Sequence, residues 1–212
     1  VGVPYSLISK LEKIQELFTD LSNVNKELKK AIIKQIEFSG DLTIADLNKD
    51  LAISTPKITS LVNELIEEGL LKDEGKIDST GGRRANIYGL VSDAAYFIGV
   101  DVKRYAINIG LLDFKKHLVK TKQQIPYELQ NTPESLNALI TCIKEFIKEQ
   151  KLPKDKILSI GINLSGRVNT ITGYSYSFFH FQEEPLSEII EKALGIRTFI
   201  ENDSRAMAFG EF

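Results

Sequence analysis

The sequence predicts an α+β chain of two unlike parts: three helices closed by a β-hairpin, then an α/β segment with a mixed sheet. Three observations predict it. Apolar residues recur at helical spacing three times between Leu28 and Ile66, glycine-rich turns then separate short extended stretches up to Tyr88, and from Ala95 onward strands alternate with helices. The 212 residues, 42% hydrophobic and 26% charged, exclude collagen-like, mucin-like or wholly disordered material. Lys and Arg total 27 against 29 for Asp and Glu, so a net charge of -2 does not itself advertise a nucleic-acid or membrane partner. Local charge placement has to supply any such affinity. The single cysteine, Cys142, forms no internal disulfide, no apolar run approaches the ~20 residues that span a bilayer, and the start lacks a signal-peptide layout. A cytoplasmic protein with no membrane partner is expected. The missing initiating Met and the helix that breaks off between Ala206 and Phe212 are expected of a fragment.

Three domains are predicted: residues 1–24, 25–92 and 93–212. In the first, Leu7, Leu11, Ile14, Phe18 and Leu21 form one stripe with heptad spacing, which suits either an amphipathic helix lying on its own domain or a dimerisation seam. In the second, Leu28, Ile32, Ile33 and Ile36 give the first apolar face, and Ser39-Gly40-Asp41 ends it. Thr43 and Asp46 have the spacing of a capping box for a short helix that turns Ile44, Leu47 and Leu51 inward. Ser54-Thr55-Pro56 predicts a third helix starting near Pro56, because a hydroxyl can cap the free N–H groups and proline has none to lose there. Ile58, Leu61, Val62, Leu65 and Ile66 form its core face, and Gly69 supplies a left-handed stop. Beyond Leu71, glycine turns and the stretch Ser79 to Tyr88 predict a hairpin, completing a winged helix-turn-helix layout.

The outward face at the start of the third helix carries Thr55, Pro56, Lys57, Thr59, Ser60 and Asn63, with no acid before Glu64. Hydroxyls and an amide can bond base edges or phosphates, and a lysine can neutralise a phosphate, so this face suits a DNA groove. Arg83 and Arg84 in the hairpin would add two guanidinium groups for phosphates or a minor groove. Residues 1–90 hold 12 basic and 14 acidic side chains, so affinity depends on orienting few charges and gains from two copies on two half-sites.

In the third domain, Phe97 to Val102, Ala106 to Leu112 and His117 to Ile125 predict an antiparallel meander. Thr132 and Pro133 open a long helix with Leu136, Leu139, Ile140, Ile143, Phe146 and Ile147 on its buried face. Ile157 to Leu164 is an interior strand, Pro185 to Leu194 a helix stopped by Gly195, and Ile196 to Ile200 another strand. His117 and His180 have no metal-ligand partners at useful spacing, and no nucleophile constellation is evident; no metal and no cofactor are expected.

Ile53 to Val62, Glu67-Glu68-Gly69-Leu70 and Gly81-Gly82-Arg83-Arg84 resemble the DNA-binding domain of ROK-family transcriptional regulators. The resemblance continues through Ile98 to Asp113, Gly161 to Val168, Thr172-Gly173, and Glu201-Asn202-Asp203 to Glu211. It implies a winged helix joined to the first half of an α/β domain of the actin/hexokinase, ribonuclease H-like type. It further implies sugar binding by Gly166, Asn202 and Asp203, with Ser177, Phe178 and Phe179 in a loop that touches sugar. The implied partners are double-stranded operator DNA, a sugar or sugar-phosphate effector, and a second copy in a homodimer or higher homo-oligomer. The implied activity is a repressor of carbohydrate genes, not an enzyme. The alternative is an ATP-dependent sugar kinase with Asp203 as general base; the Gly-Gly-Thr of kinases is replaced here by Lys103-Arg104-Tyr105, and the family's zinc motif would lie beyond Phe212. A third reading makes the helical part a protein-interaction module.

Overall fold

Helical periodicity in the first part closes around one small core in a computed structural model, which describes residues 23–76 and 85–210. The chain divides between Ala94 and Ala95 into two compact units. The predicted helix of residues 1–24 falls almost wholly outside the described residues.

The first unit contains α1 (Asn23–Ser39), β1 (Leu42–Thr43), α2 (Ile44–Leu51), α3 (Thr55–Glu67), β2 (Leu71–Lys76) and β3 (Asn86–Leu90). Ile32, Ile36, Leu47, Ile58, Leu61, Val62 and Leu65 bury against one another because each helix keeps one apolar stripe. Thr43 and Asp46 form the capping box: the Thr43 hydroxyl accepts from the Asp46 N–H at 3.2 Å, and the Asp46 carboxylate accepts from the Thr43 N–H at 3.0 Å.

Helix α3 begins one residue earlier than expected, at Thr55, and Ser54 takes the cap position without a side-chain bond. Pro56, the second helical residue, removes one of the two N–H groups such a cap hydroxyl serves, and the N–H of Lys57 is left as the other. At the other end, Gly69 (φ +72°) lets its own N–H reach Ile66 O and the Leu70 N–H reach Leu65 O, both at 2.9 Å. The hairpin is part of a three-stranded antiparallel sheet in the order β1-β3-β2. The added strand, β1, is two residues long, too short to leave a period in the sequence.

The second unit has β4 (Tyr96–Val102), β5 (Ala106–Asp113), β6 (Leu118–Pro126), α4 (Pro133–Gln150), β7 (Ile157–Leu164), β8 (Val168–Asn169), β9 (Tyr174–Ser175), α5 (Leu186–Leu194), β10 (Thr198–Asn202) and α6 (Asp203–Gly210). Its main sheet runs β10-β7-β4-β5-β6, with β10, β7 and β4 parallel and the β4-β5-β6 meander antiparallel. One face carries Ile98, Val100, Ile107, Ile109, Ile160, Ile162 and Ile200, packed against Leu139, Ile143 and Phe146 of α4 and Ile190 of α5.

Thr132 caps α4 by accepting from Ser135 N at 3.2 Å, and Gly195 (φ +62°) ends α5. Strand β10 starts at Thr198, two residues after the expected Ile196, and His117 lies exposed in the turn before β6 instead of on a strand. The β8–β9 hairpin has no sequence periodicity and was not anticipated. No helix among the described residues is long and apolar enough to cross a membrane.

Candidate functional site

Each unit carries one group of the anticipated residues. On α3 the core stripe leaves Thr55, Pro56, Thr59, Ser60 and Asn63 exposed. At about 100° per residue they cover an arc of roughly 140° on one side of the helix. The Thr59 hydroxyl donates to Thr55 O at 2.9 Å and the Ser60 hydroxyl to Glu64 Oε1 at 3.2 Å, so both side chains are oriented while their oxygens keep acceptor capacity.

Lys57 departs from this face. It is half-buried and its ammonium donates to Asn25 Oδ1 of α1 at 2.6 Å. It stands about 60° beyond Ser60 toward the core stripe, which brings its stem along α1. Arg83 and Arg84 lie outside the described residues.

A second lysine ties the same two helices together and was missed in the sequence because it interrupts an apolar face. Lys29 is buried, with its ammonium 2.8 Å from Glu64 and 2.6 Å from Glu68. Burial alone would lower the Lys29 pKa, but its hydrogen bonds to the two glutamates outweigh that and raise it. The same ammonium lowers the Glu64 pKa, and hydrogen bonds from the Thr43 hydroxyl and N–H lower that of Asp46.

In the second unit, Gly166, Asn202 and Asp203 meet at the carboxyl ends of the parallel strands β7 and β10, where Asn202 is in register with Leu164. Open α/β sheets place ligands outside those ends. The Asn202 amide donates to Gly166 O at 2.8 Å and to Asp203 Oδ1 at 3.1 Å, while its Oδ1 accepts from Arg205 N at 3.1 Å and so caps α6. Asp203 Oδ1 also accepts from Ser204 N at 2.8 Å, and Oδ2 accepts from the Ser165 hydroxyl at 2.7 Å. Both amide hydrogens of Asn202 are therefore used inside the corner, and what the pair offers a ligand is acceptor capacity.

Gly166 is required at this corner. Its φ is +91°, and a Cβ there would lie 2.4 Å from Ser177 Cβ and Oγ. Ser177 in turn accepts from Arg167 N at 2.9 Å, which locks the loop to the β8–β9 hairpin. Phe179, expected beside a ligand, is instead in the hydrophobic core, and Phe178 packs against that core. Their bulk made them apolar anchors of the loop.

Below the corner a polar row crosses the sheet in register: Asn108, Asp101, Asn163 and Glu201. Asp101 accepts from Asn108 Nδ2 at 3.2 Å, and buried Glu201 accepts from Asn202 N at 2.9 Å while facing Arg205 Nε at 3.7 Å. A cleft of about 730 Å³ opens beside the corner, lined by Gly166, Arg167, Ile171, Tyr176, Asn202 and Arg205 among others. Arg167 and Arg205 lie within the motif stretches and Tyr176 outside them, but none of the three is singled out in the sequence, because only the β8–β9 hairpin and the α6 cap bring them to one cleft. No three of His, Cys, Asp and Glu gather as a metal site among the described residues; His117 faces Asp113 at 3.4 Å and His180 bonds Asn131.

Residues 97–212, more than half of the chain, match the model of the ROK family. The chain belongs to the ROK family. The Escherichia coli K12 DNA-binding transcriptional dual regulator NagC is 28% identical over 186 residues, 85% of this chain and 45% of NagC. The Bacillus subtilis xylose repressor is 27% identical over 194 residues, 91% of this chain and 50% of that protein. The chain thus spans about half the length of the curated relatives it matches. A solved ROK family transcriptional regulator, a homologue of the E. coli MLC protein, aligns with TM-score 0.64 and 24% identity over 84% of this chain and 45% of its own, which shows the shared fold.

The exposed β4–β5 turn carries the side chains of Lys103, Arg104 and Tyr105. The Lys103 ammonium lies 3.7 Å from Asp101, and the Arg104 guanidinium lies 5.2 Å from the Tyr105 ring centroid.

Proposed function

We propose that this ROK protein is a sequence-specific DNA-binding transcriptional regulator, a repressor of carbohydrate genes whose DNA affinity is set by a sugar or sugar phosphate. The observation that carries the reading is the exposed hydroxyl-and-amide face of α3, free of acids in its first turn. The similarity to NagC and the xylose repressor runs longer than the ROK-matched stretch and so takes in part of the helical unit that carries this face.

In this reading the helical unit works as a winged helix-turn-helix. Helix α2 and its capped start steady α3, and α3 enters a major groove with Thr55, Thr59, Ser60 and Asn63 toward base edges and phosphates. Lys57 exchanges Asn25 for a phosphate oxygen, and Arg83 and Arg84 reach adjacent backbone. A homodimer in the cytoplasm presents two such helices to two half-sites. The second unit binds the effector in the corner of Gly166, Asn202 and Asp203, and the effector favours whichever arrangement of DNA-binding units it binds more tightly.

The side-chain-filled β4–β5 turn supports a role without phosphoryl transfer, because ATP phosphates need close approach of backbone N–H groups at that place. Mobility shifts on genomic fragments, titrated with and without candidate sugars, test the reading. Retarded fragments released by a sugar are expected; no retarded fragment, or an affinity ratio of one for every sugar, defeats it. Replacing Arg83 and Arg84 by Ala should weaken binding and reduce the salt slope by about 1–2.

A further inference from the structure

We infer that the effector is an anionic sugar, carrying a phosphate or a carboxylate, whose negative group is held by Arg167 and Arg205. This rests on the sugar-binding reading and narrows its ligand class. Of the residues lining the 730 Å³ cleft, two are arginines and none is Asp or Glu. Both arginines lie next to the corner in sequence: Arg167 follows Gly166, and Arg205 is the residue whose N–H Asn202 caps.

Both guanidinium groups are oriented without being consumed. The Arg167 guanidinium lies 6.0 Å from the centroid of the exposed Tyr176 ring, which supplies a flat surface for it. Arg205 turns its Nε toward the buried Glu201 carboxylate at 3.7 Å while its side chain stays 60% exposed, so the outer edge of the fork remains available. A guanidinium offers five donors in a planar fork that matches a carboxylate or phosphate edge.

The corner supplies the complementary chemistry. With both Asn202 amide hydrogens bonded internally, Asn202 and Asp203 accept hydrogen bonds from sugar hydroxyls. A neutral sugar would use those acceptors and leave two guanidinium groups facing solvent in the same cleft. An anionic sugar uses both sets of groups, with its hydroxyls on the acceptors of the adjoining corner and its charge on the arginines, and the exposed Ile171 and Tyr176 of the lining give apolar surface for the ring.

Calorimetric titration of the whole chain with matched ligands tests this. Glucose and N-acetylglucosamine are compared with their 6-phosphates and with glucuronate, and inorganic phosphate alone is a further probe. At least one anionic sugar should bind about tenfold or more tightly than its neutral counterpart at low salt. The phosphate and uronate arms decide which anion the cleft takes. In Arg167→Gln and Arg205→Gln the ratio of anionic to neutral affinity should fall, reaching about one in the double variant, with unfolding transitions showing that each variant is folded. Arg205→Lys should keep part of the ratio, since it keeps the charge and loses the fork. Equal binding of neutral and anionic sugars, or a ratio that survives in the double variant, overturns the inference and leaves the sugar cleft standing. Binding of no sugar of either kind overturns the cleft reading as well. Binding of inorganic phosphate without any sugar phosphate counts against both.

Discussion

The two units hold their candidate sites in opposite ways. The α3 face is a single helical surface with five exposed side chains, and its residues are nearly adjacent in sequence. The corner proposed for sugar draws on three segments, around Gly166, Ser177 and Asn202, joined by hydrogen bonds that also cap α6 and anchor the β8–β9 hairpin. On the proposed function, recognition is therefore separable from stability in the helical unit and inseparable from it in the α/β unit.

The largest expected effect sharpens that contrast within one helix. Leu61→Ala removes a fully buried side chain of α3 and should cost roughly 2–5 kcal/mol in denaturant unfolding. Thr59→Ala, two residues away and exposed, should change stability by less than about 0.5 kcal/mol while weakening retardation of DNA. A large stability loss at Thr59 would break the comparison.

In the α/β unit a single change should damage both properties. Gly166→Ala puts a methyl group against Ser177 at a φ of +91°, and should cost roughly 1–3 kcal/mol together with sugar affinity. Ser177→Gly in the same chain removes the clashing atoms, and some stability should return. Asn202→Ala deletes three hydrogen bonds, to Gly166, Asp203 and Arg205, and should cost roughly 1–2 kcal/mol along with sugar binding. An Asn202→Ala protein of unchanged stability would show that the corner is held by packing alone.

The smallest effect is one of pH. Glu64 and Asp46 have lowered pKa values in the folded helical unit. Their stabilisation is complete above the ordinary carboxylate range and is lost as the pH falls through the lowered values. Acid should loosen the helical unit as the pH falls below the ordinary carboxylate range, and Lys29→Met should flatten the part owed to Glu64. An acid titration that Lys29→Met leaves unaltered would sever α1 from α3 electrostatically.

Much of the helical unit was legible because its information is local. Thr43 with Asp46, the stripe from Ile58 to Leu65, and Gly69 each act within a few residues, and each behaves in the structure as local chemistry requires. Lys29 was not legible, since its partners Glu64 and Glu68 lie on another helix and its carboxyl-terminal cap. The same distinction separates Asn202 and Asp203, found through a motif, from Arg167, Tyr176 and Arg205, which no spacing connects. Phe179 misled for a related reason: exposure of an aromatic side chain in a loop depends on what the loop is laid against.

By itself the sequence determined the order of the described helices and main strands and most of the exposed face of α3, because periodicity, capping and backbone preference operate over short stretches of chain, while the membership of the corner came from the resemblance to the ROK family. Only the tertiary structure decided that Lys57 turns to Asn25, that Lys29 binds two glutamates inside the helical unit, and that two arginines line the same cleft. Those outcomes depend on distances between residues far apart in the chain, which packing sets and composition does not.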